Sequence, residues 1–117
     1  MTVDKSKTHL YPGQSLERDE QLVSSGFRLV LQYDGNLILY CGPYSITVWD
    51  TKTANTKASR LLCDGSGNLV DDAGKPYWSS NTAGKGIERF VLQDDGNFAG
   101  YKGEDMIWQT DTAKKCK

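Results

Sequence analysis

Gln32, Asp34, Asn36 and Tyr40 fall on alternate positions of "QYDGNLILY", with Ile38 between the last two. The set recurs in "QDDGNFAGY" as Gln93, Asp95, Asn97, Ala99 and Tyr101. Alternate side chains of an extended chain share one face, so each set forms one patch. Carboxylate and amide oxygens accept hydrogen bonds, the amide NH₂ donates, and a phenol does both. Ile38 or Ala99 adds a small apolar surface. The combination suits a polyhydroxylated ligand, with polar groups for its hydroxyls and an aliphatic side chain for its C–H surface. Asp and Asn alone would signal only a turn, where both are favoured for backbone reasons. Gln four positions before the Asn, and Tyr four after it, have no place in turn chemistry.

The elements that must position these groups are short strands. Around the first patch the odd positions are apolar: Phe27, Leu29, Leu31, Leu37 and Leu39. Phe90, Leu92 and Phe98 repeat the pattern around the second. Asp-Gly or a relative of it between such runs is a hairpin signal. A third stretch, "SRLLCDGSGNLVDD", extends the series. Gly-Asn pairs stand at 35–36, 67–68 and 96–97, and Trp49, Trp78 and Trp108 follow them, each with a Thr four residues on. Two markers with a common period near 30 residues mark an internal repeat. Units of about 10–53, 54–83 and 84–112 result, with 113–117 as a polar tail. One small sheet cannot bury its apolar face alone. Three around an axis can, with the tryptophans as a central core. The fold class is all-β.

At 117 residues the chain is read as one domain with a real core. With 14 Lys plus Arg against 15 Asp plus Glu, the net charge is −1. That argues against a nucleic-acid or anionic-membrane surface, either of which would need a basic excess. No stretch approaches the ~18 apolar residues of a membrane span, so no membrane insertion is expected. "MTVDKSKTHLYPG" holds no apolar leader segment. The expectation is a secreted protein without a visible signal peptide, with the cytoplasm as the alternative.

The two patches resemble the signature of the bulb-type mannose-binding lectins of monocot plants, Q-x-D-x-N-x-V-x-Y repeated three times. The likeness runs from about residue 10 to 112 and includes the W-x-[ST]-x-T endings. It implies a β-prism of three four-stranded antiparallel sheets, and binding of mannose and mannose-containing glycans with no metal or other cofactor. By position it implies that Asp34 and Asn36 bond the axial 2-hydroxyl of mannose, Gln32 the 3-hydroxyl and Tyr40 the 4-hydroxyl, while Ile38 packs on the ring. Asp95, Asn97, Gln93, Tyr101 and Ala99 take the same roles in the third unit. In the second unit the corresponding positions are Asp64, Ser66, Asn68, Val70 and Asp72. Two added carboxylates and a lost phenol should disable that site, leaving two. The resemblance also implies a homodimer, formed by exchange of C-terminal strands.

Three cysteines do not make a disulfide framework. Cys63 aligns with inward-facing Leu31 and Leu92 and reads as a buried thiol. A Cys41–Cys63 bridge is left open, and Cys116 in the polar tail either links two chains or stays an exposed thiol. The longer connection "CGPYSIT", with Tyr44, is a solvated loop or a rim for a second sugar. "DDAGK" and "DDGN" lack the register of a calcium loop, and His9 has no partners at metal-ligand spacing. The competing reading is an interaction or toxin-like scaffold with decayed sugar sites, which intact motifs in two units argue against. A glycosidase needs two carboxylates flanking one bond. Asp34 and Asp95 lie in different units, so no enzyme is expected.

Overall fold

In the computed structural model, which describes residues 8–63 and 67–113, the chain forms twelve strands. No helix occurs among the described residues. The strands are β1 (His9–Leu10), β2 (Gln14–Glu17), β3 (Gln21–Ser24), β4 (Phe27–Leu31), β5 (Leu37–Cys41), β6 (Ile46–Asp50), β7 (Arg60–Cys63), β8 (Asn68–Val70), β9 (Pro76–Ser79), β10 (Arg89–Leu92), β11 (Phe98–Lys102) and β12 (Asp105–Gln109). They make three four-stranded antiparallel sheets. Sheet I is β3-β4-β5-β6, sheet II is β2-β7-β8-β9, and sheet III is β1-β10-β11-β12. The expected three-sheet prism is therefore present.

Each sheet takes three consecutive strands from one stretch of chain and its fourth from the segment 9–24. That segment carries leucines at a spacing of six. Leu10 pairs with Phe90 in sheet III, Leu16 with Leu61 in sheet II, and Leu22 with Leu29 in sheet I. All three are fully buried. Burying a leucine side chain contributes about 1.5–3 kcal/mol, so each short strand is held by one anchored side chain as well as by its ladder. Turns at Tyr11-Pro12-Gly13 and at Asp19, which has φ of 67°, carry the chain from one sheet to the next.

The apolar alternate residues of the hairpins, odd-numbered in the first unit and even-numbered in the third, point inward as the alternation predicts. Phe27, Leu29, Leu31, Leu37, Leu39, Phe90, Leu92 and Phe98 all lie in one buried cluster. The tryptophans meet each other edge to face. Trp78 stands between Trp49 and Trp108, with ring centroids 5.6 and 5.8 Å away. They are half-buried and pack against the leucine and phenylalanine interior, with Phe90 and Phe98 touching Trp108. The tryptophans, expected as a central core, thus pack at the margin of a core made of leucine and phenylalanine, with their rings only partly covered.

The two site hairpins share one turn. Gly35 N–H donates to Gln32 O (3.0 Å), and Gln32 N–H to Asn36 O (2.9 Å). Gly96 and Gln93 repeat the pair at 3.0 and 2.8 Å. This is a three-residue loop whose last residue needs positive φ, and both glycines sit at 92°. A side chain at either would also overlap a neighbour. A Cβ on Gly35 would lie 2.6 Å from Thr56 Oγ1, and one on Gly96 2.4 Å from the Phe27 ring.

Cys41 is disulfide-bonded. Cys63 is buried, as its alignment predicts. Cys116 lies outside the described residues, as do Asp64 and Ser66.

Candidate functional site

Sheet I brings together all five residues of the first patch. The Asp34 carboxylate is exposed and accepts from the Asn36 N–H at 2.9 Å, which holds the turn and the carboxylate to each other. Gln32 Nε2 donates to Tyr40 Oη at 2.5 Å, across Ile38. Arg28, directly opposite Tyr40 in the ladder, lays its guanidinium 5.2 Å from the phenol ring centroid, an attractive cation–π placement. Arg28 also donates to the Ser45 hydroxyl, which ties the "CGPYSIT" loop to the edge of the site. Tyr44 on that loop is 88% exposed.

Sheet III builds the same constellation. Asn97 N–H donates to Asp95 Oδ1 (3.0 Å), Gln93 Nε2 donates to Tyr101 Oη, and Arg89 lies 4.7 Å from the Tyr101 ring centroid. In both sheets the ladder shifts register just before the tyrosine, between Leu39 and Tyr40 and between Gly100 and Tyr101. A bulge there re-aims the following side chain.

The alternation predicts that the patch side chains of both sheets face solvent. They lie on the outer face, but several are covered. Asn36 is 6% exposed, Ile38 8%, Asn97 3%, and Ala99 fully buried. Each apolar patch residue has a ladder neighbour on both sides. Ile38 pairs with Val30 on one side and Asp50 on the other, as Ala99 does with Val91 and Gln109.

Each asparagine side chain is locked from beneath by the W-x-T-x-T segment. Asn36 Oδ1 accepts from Thr53 N–H (3.1 Å) and from the Thr51 hydroxyl (3.2 Å), while Nδ2 donates to Asp50 Oδ2 (3.0 Å). The Thr53 hydroxyl donates to Gly35 O at 2.6 Å. In sheet III, Asn97 Oδ1 accepts from Thr110 Oγ1 (3.1 Å) and Thr112 N–H (3.3 Å), Nδ2 donates to Gln109 Oε1 (2.8 Å), and the Thr112 hydroxyl donates to Gly96 O (2.7 Å). The Thr four residues after each Trp was visible in the sequence, but this task was not. Asp50 and Gln109 were missed altogether. Their only signal is that each directly follows the Trp of a unit with an intact motif.

The second unit departs from its sequence alignment. The Gly-Asn pairs suggest that Asn68 matches Asn36 and Val70 matches Ile38, and the ladders place them otherwise. Arg60 pairs with Val70 as Arg28 pairs with Tyr40, and Leu69 pairs with Trp78 as Leu39 pairs with Trp49. The register shift falls before Val70, and Ser80 N–H donates to Gly67 O as Thr51 N–H does to Leu37 O. Gly67 thus stands where Leu37 and Phe98 stand, and Asn68 where Ile38 and Ala99 stand. The hairpin is two residues shorter, so the alignment is corrected: Asn68 and Val70 occupy the apolar and phenol positions. The Ser80–Thr82 hydroxyl pair persists at 2.7 Å. It faces the Gly67 backbone, where a Cβ would lie 2.2 Å from Ser80 Oγ. With no ring at Val70, Arg60 lies instead 3.6 Å from Glu17 and 3.7 Å from Asp72. Asp72 also accepts from the Ser59 hydroxyl at 2.8 Å.

No group of three or more His, Cys, Asp or Glu residues able to hold a metal occurs among the described residues. An open depression of about 440 Å³ is lined by Arg18, Lys57, Asp71, Asp72 and Ala73, none of them a residue of either motif patch.

No family model matches the chain. It is 38% identical over 112 residues to mannose-specific lectin CEA of Colocasia esculenta, a match covering 92% of this chain. The chain spans only 40% of the length of that relative. The snowdrop (Galanthus nivalis) mannose-specific agglutinin, solved with methyl-α-D-mannoside, is 34% identical with a TM-score of 0.73, over 91% of this chain and 97% of that one. A Marasmius oreades lectin superposes with a TM-score of 0.80 at 25% identity, over 96% and 97% of the two chains. With the three-sheet prism and the repeated Q-x-D-x-N-x-x-x-Y patches already in place, these matches show that the chain belongs to the family of monocot mannose-specific, bulb-type lectins.

Proposed function

We propose that the chain binds mannose and mannose-containing glycans, without a metal ion, at two sites. One is formed by Gln32, Asp34, Asn36, Ile38 and Tyr40, the other by Gln93, Asp95, Asn97, Ala99 and Tyr101. The observation that carries this reading is the duplication of one hydrogen-bonded constellation in sheets I and III, with its absence from sheet II, where the hairpin is shorter. Asp34 and Asn36 meet the axial 2-hydroxyl, Gln32 the 3-hydroxyl, Tyr40 the 4-hydroxyl, and Ile38 the ring face. An epimer with an equatorial 2-hydroxyl leaves Asp and Asn partners unmade, at a cost of about 1–3 kcal/mol each. Ala99 stands where the motif has Val and is fully buried, so the sheet III site lacks that aliphatic contact and is weaker by up to about 1 kcal/mol. Residues 64–72 hold no working site. A homodimer would raise avidity for multivalent glycans, and sedimentation at several concentrations tests it.

Calorimetric titration with methyl α-mannoside tests the sites. The wild type should bind two equivalents, Asn36→Ala and Asn97→Ala one each, and the double variant none, with no effect of a chelator. Retained binding in the double variant overturns the assignment. No binding by the wild type would favour the scaffold reading.

A further inference from the structure

We infer that Asp50 and Gln109, the residues directly after Trp49 and Trp108, are positioning residues that set which edge of the motif asparagine faces the ligand. The inference rests on the sugar-site reading above and concerns residues outside the Q-x-D-x-N-x-x-x-Y motif.

An asparagine amide offers two donors and two acceptor lone pairs, and it can present either end to a ligand if nothing fixes it. At Asn36 both ends are fixed. The Thr53 backbone N–H can only donate, so it claims Oδ1 at 3.1 Å. The Asp50 carboxylate accepts, and it claims one Nδ2 hydrogen at 3.0 Å. The Thr51 hydroxyl fills the second side of Oδ1 at 3.2 Å. One N–H remains. Because the planar amide is held at Oδ1 and at its other hydrogen, that donor has one fixed direction. Asp50 therefore turns a flexible donor–acceptor group into one aimed donor. A fixed donor suits a hydroxyl of fixed axial or equatorial geometry and discriminates between the two.

Sheet III achieves this with a neutral group. Thr112 N–H claims Asn97 Oδ1 at 3.3 Å, so Gln109 must present its Oε1 to Nδ2, at 2.8 Å. Gln109 is exposed whereas Asp50 is half-buried, and a charge-assisted bond is the stronger of the two types. Asp50 thus holds its asparagine harder than Gln109 does. In sheet II the same place belongs to Ser79, opposite Asn68, and its hydroxyl accepts from the Asn81 N–H at 2.9 Å. The positioning residue accompanies the intact patches and is replaced where the patch is lost.

The test isolates sheet I by placing each variant in an Asn97→Ala chain. Asp50→Leu and Asp50→Asn are titrated with methyl α-mannoside and methyl α-glucoside, and their thermal midpoints are recorded. Asp50→Leu should lower mannoside affinity by about tenfold, as expected for loss of one orienting hydrogen bond, and should narrow the mannoside-to-glucoside ratio. Asp50→Asn, which still offers an acceptor, should restore most of both. Gln109→Leu in an Asn36→Ala chain makes the same test at an exposed position where folding is not at risk. Unchanged affinity and ratio in the Leu variants, while Asn36→Ala in the Asn97→Ala chain abolishes binding, would overturn the positioning role and leave the sites standing. If that Asn36→Ala chain still binds, the sugar-site reading itself fails. A lowered midpoint with an unchanged ratio would assign Asp50 to stability alone and also overturn the inference.

Discussion

Replacing Thr53 with Val removes one hydroxyl while keeping the shape of the side chain and the backbone N–H that holds Asn36. Thr53 is 5% exposed, so water cannot stand in for what is lost. Its hydroxyl donates to Gly35 O at 2.6 Å and lies 2.7 Å from Thr51 Oγ1. Stripping a buried carbonyl of its donor costs about 1–3 kcal/mol. Unfolding entropy near 2.1 cal/mol/K per residue, over 117 residues, gives about 0.25 kcal/mol/K. The midpoint should therefore fall by about 4–12 °C. The carbonyl belongs to the glycine that precedes Asn36, so mannoside affinity at sheet I should fall as well. Thr82→Val is the matched control: Thr82 is 1% exposed and bonded to Ser80 at 2.7 Å, but in the sheet without a patch. It should cost comparable stability and leave sugar binding intact. Differential scanning calorimetry and titration on both variants read the two effects. A Thr53→Val midpoint within about 1 °C of wild type would refute the reasoning about the clamp, since the loss should exceed about 1 kcal/mol. Equal loss of affinity in Thr82→Val would refute the assignment of sheet II.

Gly96→Ala should destabilise by about 2–5 kcal/mol, combining backbone strain at φ 92° with overlap of the Phe27 ring, and a urea midpoint measures it. Arg28→Met should remove the cation over Tyr40 and its bond to Ser45, weakening mannoside binding at sheet I about two- to fivefold while sheet III is unaffected. Asp94 accepts from the Ser24 and Ser25 hydroxyls at 2.5 and 3.0 Å, and these bonds hold its carboxyl below the usual carboxylate value. A depressed folded-state pKa gives stability that is present above the unfolded value of about 3.9 and lost as pH falls through the folded one. Thermal melts at descending pH should therefore lose part of their acid sensitivity in Asp94→Asn.

The five-residue patches were legible because each role was written in residue type and alternate spacing, twice over. Gln32, Asp34, Asn36 and Tyr40 needed only the period of a strand to be assembled. The second unit was harder. Its "DGSGN" invited alignment on Gly67-Asn68, yet the ladder is set by Leu61, Leu69 and Trp78, and a hairpin shorter by two residues is invisible when the eye matches turns. The irregular spacing of the Gly-Asn pairs, 32 then 29 residues, against 29 then 30 for the tryptophans, was the available signal. Asp50 and Gln109 escaped because they differ in type and act through another side chain. The partition of β1, β2 and β3 among three sheets was written in Leu10, Leu16 and Leu22. A spacing of six fits the strand period of two, but turns fall between the leucines, so no continuous alternation registers as a local signal.

That partition also sets an order of assembly. Sheet I joins residues 21–50, near neighbours in the chain, and can pair as soon as its own hairpins exist. Sheet II waits for Leu61 to reach Leu16, and sheet III for Phe90 to reach Leu10, a loop of roughly eighty residues whose closure entropy must be met before its contacts are gained. On this topology the first motif hairpin is expected to pair before the other, while β1 and β2 wait as unpaired edges. The sheet expected to close last draws on the first strand of the described chain, so both ends of the described chain would be fastened in one step.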